Sequence, residues 1–178
     1  MARDAFSSLL ALLFLAGALQ ADPRVDERER QMKRTRAALA QAAFGAKVLK
    51  EAKALLGTPY VWGDKSGRYG FDCSGYSAHV FKQVGVTLTG SALEQYGQGS
   101  PVDKAGLLPG DLVFFLGSGS PMHVGIYEGQ GRFLHAPGTG KRVQASPLDS
   151  GRYARRFVGA RRLEPPKNSP PPEPRSKP

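Results

Sequence analysis

Apolar residues recur at helical spacing over residues 46–56. The apolar positions of this segment are Val48, Leu49, Ala52, Leu55 and Leu56. Because these positions lie three, four or seven residues apart, they fall on one face of a helix, and that face is expected to pack on a core. Gly57 and Pro59 follow at once, and both residue types end helices. The pattern predicts a core-facing helix that stops before Gly57.

A second helix is predicted after Cys73. A glycine-rich loop over residues 63–70 precedes this cysteine, and apolar residues recur at helical spacing after it. These apolar positions are Tyr76, Val80, Phe81 and Val84. Cys73 is therefore expected at the N-terminus of a helix.

The second half of the chain has the pattern of short strands. Pro109 and Gly110 indicate a turn, after which compact apolar or alternating runs follow one another closely. The predicted strands cover residues 112–116, 123–127 and 132–136. Helices followed by strands that are joined by short turns predict an α+β domain with an antiparallel sheet.

The N-terminal segment has the pattern of a secretory signal peptide. Arg3 precedes an apolar run over residues 6–19, which is shorter than the roughly 20 residues that a membrane-spanning helix needs. We expect residues 1–21 to be a signal peptide that is cleaved after Ala21. The protein is then exported, to the periplasm or to the extracellular cell wall. An uncleaved anchor or a buried N-terminal helix is the alternative.

Two further segments flank the expected domain. Residues 22–45 are rich in charges of both signs and then in alanine, a composition that favours an exposed helical leader. Residues 164–178 hold half of the chain's 14 prolines and no large apolar side chain. They cannot bury enough surface to offset their ordering entropy, so we expect a disordered tail. Residues 46–163 remain as the folded domain.

The chain is strongly basic. It carries 25 Lys and Arg against 15 Asp and Glu, which gives a net charge of +10. Such a charge favours polyanionic partners, namely nucleic acid, acidic lipid or an acidic cell-wall polymer. A solvated basic surface without a specific partner is the alternative, because charge alone does not choose among these.

Cys73 is the only cysteine, which excludes a disulfide within the chain. The unpaired N–H groups and the positive dipole end of a helix N-terminus stabilise a thiolate. We therefore expect the pKa of Cys73 to be lowered from the free value of ~8.5, which would prime it as a nucleophile. The alternative role is a small buried hydrophobic residue, which is the commoner role of a free cysteine.

A nucleophilic thiol needs a general base, and the chain has three histidines. His79 lies six residues after Cys73 on the predicted helix, about 240° around its axis. Its side chain is therefore predicted to point away from the thiol, as a surface or packing residue. His123 and His135 remain as the candidate base and its orienting partner.

The relative position of these two histidines depends on the hairpin that joins their strands. A three-residue loop over residues 128–130 would pair His123 directly with His135 on one face of the sheet. A loop one residue shorter would pair His123 with Ala136 and turn His135 to the other face. Together with Cys73, the two histidines would also suit an open zinc site with water as the fourth ligand.

Five runs of residues carry a resemblance to a known family. They are Gly57-Thr58-Pro59-Tyr60-Val61-Trp62-Gly63, Phe71-Asp72-Cys73-Ser74-Gly75, Leu108-Pro109-Gly110-Asp111-Leu112-Val113-Phe114-Phe115, His123-Val124-Gly125-Ile126-Tyr127 and Phe133-Leu134-His135-Ala136-Pro137. In this order they resemble the NlpC family of papain-like cysteine peptidases, which are bacterial peptidoglycan endopeptidases. The resemblance covers residues 46–163. It implies a papain-like α+β fold, with N-terminal helices packed on a central antiparallel sheet.

The resemblance also implies roles for the candidate residues. Cys73 would be the nucleophile, His123 the general base and His135 the polar residue that orients the imidazole of His123. The helix position and the histidine spacing indicate the same three residues. Tyr60 resembles a family tyrosine that helps to hold the oxyanion or the substrate, and a half-buried aromatic side chain is its alternative role.

Asp72 and Ser74 match family positions that contact the stem peptide. For Asp72 the alternative is a helix N-cap, which is an ordinary role for an Asp just before a helix. The chain departs from the family pattern at Asp64, where a second glycine is common, and over residues 76–79, where aliphatic residues are commoner. Neither departure affects the three catalytic candidates, but both are expected to alter the substrate groove.

The resemblance implies a cell-wall hydrolase that cleaves an amide bond in peptidoglycan stem peptides through a thioester intermediate. Three possibilities are open for the bond that is cut: the bond between D-Glu and the diamino acid, the cross-link between stems, or a different amide. The reaction needs neither a metal nor an organic cofactor. An amidase or an acyltransferase would use the same Cys-His site. An alternative from another class is a non-catalytic wall-binding or scaffold protein.

The expected partners follow from this interpretation. They are stem peptides, together with an anionic wall polymer or membrane surface that the net charge favours. A monomer is expected, and the need for an activator protein is open. Export and the lack of a nucleic-acid recognition motif argue against nucleic acid as a partner.

Overall fold

The computed structural model describes residues 23–117 and 122–167. The predicted signal peptide, residues 1–21, lies outside these ranges, as does most of the predicted tail. Within the described ranges, no helix has both the length and the apolar character that are needed to span a membrane.

Four α-helices and one short 3-10 helix, Lys104–Gly106, are present in the described chain. The α-helices are α1 (Pro23–Ala54), α2 (Cys73–Gln83), α3 (Ala92–Tyr96) and α4 (Gly151–Arg156). The predicted core-facing helix and the helical leader are therefore parts of one continuous helix, α1. It ends three residues before Gly57, whose positive φ of 83° suits a turn that glycine adopts without strain. Cys73 is the first residue of α2, as predicted.

The chain divides into two compact units, and the boundary between them lies within α1, after Ala38. The described part of the first unit is helical, and nearly all of its side chains are exposed. Its charges pair along the helix, since Arg30 contacts Asp26 at 3.6 Å and Glu27 at 3.7 Å. The second unit contains the sheet and the other helices.

The sheet has six strands in the order β1-β6-β2-β3-β4-β5, and every neighbouring pair is antiparallel. The strands are β1 (Ser100–Val102), β2 (Leu112–Leu116), β3 (Met122–Gly129), β4 (Arg132–His135), β5 (Gln144–Pro147) and β6 (Phe157–Arg162). The predicted α+β class with an antiparallel sheet is confirmed. The predicted strands at 112–116, 123–127 and 132–136 correspond to β2, β3 and β4.

Each face of the sheet packs on its own apolar cluster, because successive side chains of a strand point to opposite faces. On one face, Leu112 and Phe114 of β2 join a core that contains residues of α1 and α2. On the other face, Val113 and Phe115 pack with Phe133, and Tyr153 of α4 adjoins them. The sheet is therefore covered by α1 and α2 on one side and by α4 on the other.

The hairpin between β3 and β4 differs from both predicted registers. Ile126 lies opposite Leu134, whereas direct pairing of His123 with His135 would have placed it opposite Arg132. The predicted three-residue loop was therefore wrong, and the register is shifted by two residues. The true loop is formed by residues 130–131, whose φ angles of 53° and 66° are those of a two-residue hairpin turn with a right-handed strand twist.

A β-bulge between Tyr127 and Gly129 places the side chains of His123 and His135 on the same face of the sheet. A two-residue loop without this bulge would place Ile126 opposite His135, so His123 would lie on the other face of the sheet. The bulge shifts the ladder by one residue and reverses this assignment. His123 and His135 are consequently diagonal neighbours on one face, although they are not directly opposed.

Candidate active site

Asp72 caps the helix that carries Cys73. Its backbone is extended, and its Oδ1 accepts hydrogen bonds from the Gly75 N–H at 2.6 Å and from the Ser74 hydroxyl at 2.9 Å. The capping role that the sequence suggested for Asp72 is confirmed. This cap fixes the point at which the helix begins, and with it the position of Cys73.

The buried side-chain amide of Gln95 forms hydrogen bonds with the first turn of α2. Gln95 of α3 is fully buried, its Nε2 donates to the Ser74 carbonyl at 3.0 Å, and its Oε1 accepts from the Ser77 hydroxyl at 2.6 Å. Gln95 was not among the predicted site residues, because nothing in its local sequence shows that α3 packs beside α2. Together, Asp72 and Gln95 fix the first turn of α2, Asp72 through the Ser74 hydroxyl and the Gly75 N–H and Gln95 through the Ser74 carbonyl.

A chain of hydrogen bonds runs from His123 into the sheet. His123 Nε2 lies 2.8 Å from His135 Nδ1, and His135 Nε2 lies 2.9 Å from Ser146 Oγ in β5. His135 is fully buried and Ser146 is 6% exposed. Ser146 was not a predicted site residue either, since β5 is short and has no alternating apolar pattern that would have indicated a strand.

These contacts bear on the zinc interpretation. Both ring nitrogens of His135 are engaged, one with His123 and the other with Ser146, so neither is left to ligate a metal. Among the residues that the structure describes, no group of three His, Cys, Asp or Glu side chains is arranged to hold a metal ion. The arrangement instead suits a base and a residue that orients it.

Aromatic rings surround the two histidines. Tyr153 of α4 stacks on His123 at 6.0 Å between ring centroids and meets His135 edge to face at 5.1 Å. The ring centroid of Phe133, on the same strand, lies 4.7 Å from that of His135. These contacts restrict rotation of the imidazoles and keep water from their inner faces. Tyr153 is a third site residue that the sequence did not indicate.

A cavity of about 500 Å³ opens at the end of the sheet where β2 ends and β3 begins. Five of the six predicted site residues line it, namely Tyr60, Asp72, Cys73, Ser74 and His123. The sixth, His135, lies behind His123. The cavity rim includes the exposed apolar side chains of Trp62, Leu93 and Leu116. Cys73, at the start of a helix on one face of the sheet, thus shares this cavity with His123, whose side chain belongs to the other face.

The pKa of Cys73 is shifted in the direction opposite to the prediction. Burial of the thiol raises its pKa, and the nearby Asp72 carboxylate adds to this effect. Backbone N–H groups of Val124, Ser74 and Cys73 itself lower the pKa, but they do not outweigh burial. The expected lowering by the helix N-terminus was therefore wrong for the free protein, because desolvation of the charged form is the larger effect.

Both imidazoles are neutral at physiological pH. Burial, followed by the charge of Arg152, lowers the pKa of His123 to about 4. Burial also lowers the pKa of His135 to about 2, with further contributions from His123 and Arg152. Burial raises the pKa of Tyr60 to about 12, so its hydroxyl keeps its proton and can donate a hydrogen bond.

His79 takes no part in this arrangement. Its ring packs on Phe71 at 4.9 Å between centroids, and its Nε2 lies 3.5 Å from the side-chain amide of Gln83. The prediction that His79 is a surface or packing residue is confirmed, since it is partly exposed and its ring packs on Phe71.

The two departures from the family pattern have structural roles. The Asp64 carboxylate accepts hydrogen bonds from backbone N–H groups of Ser66 and Tyr69, and so it shapes the glycine-rich loop. The fully buried Tyr76 donates its hydroxyl to the Ala52 carbonyl at 3.0 Å and thereby ties α2 to α1. The second departure therefore supports α2 from behind.

The buried histidines are expected to make the protein less stable in acid. The unfolded chain binds protons near pH 6.5, whereas folded His123 and His135 bind them only near pH 4 and pH 2. The free energy of unfolding should therefore fall as the pH drops from about 6.5 toward 4, by up to roughly 1.4 kcal/mol per pH unit for each histidine. Urea unfolding at pH 7.5, 6.0 and 5.0 measures this slope.

Two variants provide the comparison. His135→Gln should show a shallower fall than the wild type, because one of the two linked protons is gone. His79→Gln should keep the full slope. A wild-type free energy of unfolding that is constant from pH 7.5 to pH 5.0 would contradict the assignment of neutral, buried imidazoles.

Comparison with known proteins agrees with this geometry. The sequence model of the NlpC/P60 family matches residues 57–162. The chain is 39% identical over 121 residues to a gamma-D-glutamyl-L-lysine dipeptidyl-peptidase of Bacillus cereus, which covers 66% of this chain and 36% of that protein. It is 39% identical over 137 residues to the murein DD-endopeptidase MepH of Escherichia coli, with coverage of 70% and 51%. The chain thus spans between about a third and a half of the length of these relatives.

Solved structures show the same fold. A crystal structure of an NlpC/P60 family protein from Bacillus cereus is 38% identical with a TM-score of 0.63, and the match covers 68% of this chain and 40% of that one. The NlpC/p60 domain of the peptidoglycan hydrolase SagA is 34% identical with a TM-score of 0.59, with coverage of 67% and 98%. The helix that begins at Cys73, the antiparallel sheet and the sequence match agree, and the chain belongs to the NlpC/P60 family.

Proposed function

We propose that this protein is a cysteine endopeptidase that hydrolyses an amide bond in peptidoglycan stem peptides. The observation that carries the proposal is the hydrogen-bonded chain from His123 through His135 to Ser146, with His123 and Cys73 on the wall of one cavity. A thiol, a base and a group that orients the base are the components that nucleophilic acyl transfer requires.

The first step is attack of Cys73 Sγ on the amide carbonyl. Since the thiol and the imidazole of His123 are both neutral at physiological pH, the thiol proton moves to His123 as the carbon–sulfur bond forms. The free base must be Nδ1 of His123, because its Nε2 faces His135. His123 then gives the proton to the leaving amine as the carbon–nitrogen bond breaks, and a thioester remains.

The second step is hydrolysis of the thioester. Water gives a proton to His123 and adds to the thioester carbon. The carbon–sulfur bond then breaks as His123 gives this proton to the sulfur, which releases the carboxylic acid and restores the Cys73 thiol. During both steps, we assign the Tyr60 hydroxyl, which lines the cavity and keeps its proton, and the backbone N–H groups at the start of α2 as oxyanion donors. Asp72 and Ser74 line the same cavity and are assigned to contacts with the stem peptide.

The names of the relatives support the substrate class. One relative is a gamma-D-glutamyl-L-lysine dipeptidyl-peptidase and another is a murein DD-endopeptidase. These names indicate two different stem-peptide bonds, the link from D-Glu to the diamino acid and the cross-link. Hydrolysis of one of these two bonds is the proposed activity.

The test is incubation of the protein with purified sacculi and with defined muropeptides, followed by mass spectrometry. We expect paired new amine and carboxyl ends with the wild type and none with Cys73→Ala, since the nucleophile is absent. His79→Gln is the matched control and should retain activity, because His79 packs on Phe71. The masses identify the bond that is cut.

Two results would contradict the proposal. Equal product formation by Cys73→Ala would show that the thiol is not the nucleophile. Absence of products from the wild type, with every substrate tested, would favour a wall-binding or scaffold role over catalysis.

Ser146 is expected to be a positioning residue. For His123 Nδ1 to act as a base, the ring proton of His123 must lie on Nε2, which then donates a hydrogen bond to His135 Nδ1. Because His135 Nδ1 is the acceptor, the ring proton of His135 must lie on its Nε2, which donates to Ser146 Oγ. Ser146→Ala removes this acceptor. We expect kcat to fall about 10-fold, which corresponds to about 1.4 kcal/mol, with KM nearly unchanged.

Nitrogen-15 NMR of the imidazoles distinguishes this role from a general loss of structure. Ser146→Ala should populate the other tautomer of His135, while Ser146→Thr, which keeps a hydroxyl, should restore the wild-type tautomer and most of kcat. Ser150→Ala is the control, since Ser150 is exposed and its side chain makes no helix-capping hydrogen bond. An unchanged tautomer and an unchanged kcat in Ser146→Ala would contradict the assignment.

We also propose that the protein acts outside the cytoplasm and that its net charge of +10 holds it on an anionic wall polymer or membrane surface. The apolar run over residues 6–19 supports export after cleavage at Ala21. Binding of the Cys73→Ala protein to purified sacculi should weaken as salt rises from 50 to 500 mM, because salt screens charges over about 10 Å at 0.1 M. Binding that does not change with salt would contradict the electrostatic part.

A further inference from the structure

The active-site cavity has an unequal charge distribution. Its cationic lining residues are Lys65, Arg152 and Arg156, and its one anionic lining residue among the described residues is Asp72. The Asp72 carboxylate already accepts hydrogen bonds from the Gly75 N–H and the Ser74 hydroxyl. The cavity wall is therefore net positive where substrate must lie.

The two arginines come from α4, which covers the histidine face of the sheet. Arg152 and Arg156 are four residues apart, so they lie on one side of this short helix. Arg155 lies between them in sequence and is exposed, and it is not part of the cavity lining. Of the three arginines of α4, Arg152 and Arg156 therefore line the cavity and Arg155 does not.

Arg152 is closely linked to the catalytic base. Its guanidinium lies 4.7 Å from the centre of the Tyr153 ring, and its Nη2 donates to the Tyr153 hydroxyl at 2.8 Å. The Tyr153 ring in turn stacks on His123. The positive charge of Arg152 is therefore one aromatic ring away from the imidazole that takes up a proton during the proposed reaction.

This arrangement opposes the proposed reaction unless something neutralises it. When His123 accepts the thiol proton it becomes a cation, and a neighbouring guanidinium makes that cation less stable. A carboxylate of the substrate on the arginines would remove this repulsion, and charge-assisted hydrogen bonds from arginine would also hold it in place. The charge of the substrate then affects the chemical step as well as binding.

We propose that Arg152 and Arg156 form a carboxylate subsite, so that the protein acts on stem peptides with a free carboxylate beside the scissile amide. Peptides in which that carboxylate is an amide are poor substrates. The subsite rests on the proposed endopeptidase function, and it adds the chemical form of the substrate that the site selects.

The test uses two synthetic stem peptides that differ only in one group beside the scissile amide, a carboxylate in one and a carboxamide in the other. The wild type should cleave the carboxylate peptide with a kcat/KM at least 10-fold higher. Arg152→Gln should lose most of this preference. Its kcat/KM for the carboxylate peptide should fall, whereas its kcat for the carboxamide peptide should stay equal or rise. A merely structural role for Arg152 would lower both.

Arg156→Gln should raise KM for the carboxylate peptide alone. Arg155→Gln is the matched control, with the same loss of charge on the same helix, and should keep the wild-type preference. Equal cleavage of the two peptides by the wild type, or an equal loss of preference in Arg155→Gln, would overturn the proposal.

A binding measurement separates the subsite from the proposed function. Calorimetry with the Cys73→Ala protein should show tighter binding of the carboxylate peptide than of the carboxamide peptide, and Arg152→Gln in that background should remove the difference. If the wild type cleaves neither peptide but this difference is present, the endopeptidase assignment fails and the carboxylate subsite stands. If the two peptides bind equally, the subsite is wrong, whatever the activity.

Discussion

The site depends on one constraint, which is that polar side chains buried on an apolar sheet face must satisfy each other's hydrogen bonds. His123, His135 and Ser146 do so in a single chain, with contacts of 2.8 and 2.9 Å. Phe133 packs against His135 and against Tyr153, so aromatic rings adjoin the buried part of this chain. Each ring nitrogen of His135 has one partner. Once the tautomer of His123 is chosen, the positions of the ring protons of both histidines are therefore determined.

The same burial determines the charge state of the site. It raises the pKa of Cys73 and lowers the pKa of His123, so the resting pair is a thiol and a neutral imidazole. Backbone N–H groups at the start of α2 favour the thiolate, but in the free protein they are outweighed by desolvation. In the proposed reaction, these groups act once negative charge has moved to the sulfur or to the carbonyl oxygen.

The two faces of the sheet contribute different parts of the site. The helix α2 supplies Cys73 from one face, and its first turn is held by Asp72 and Gln95. The other face supplies His123, and α4 adds Tyr153 and the arginine charge beside it. Both parts line the cavity, which opens where β2 ends and β3 begins. A substrate in this cavity would contact the nucleophile, the base and the charge that modulates the base at once.

Local sequence alone determined the α+β class, the helix that begins at Cys73 and the exclusion of His79, because these depend on periodicity, capping and rotation about one helix axis. Long-range packing decided the rest. The common face of His123 and His135 depends on a bulge that shifts the ladder by one residue, which no local pattern indicated. Ser146 and the direction of the Cys73 pKa depend on neighbours that are distant in sequence. Desolvation and hydrogen-bond partners are properties of the assembled core, so only the tertiary structure could decide them.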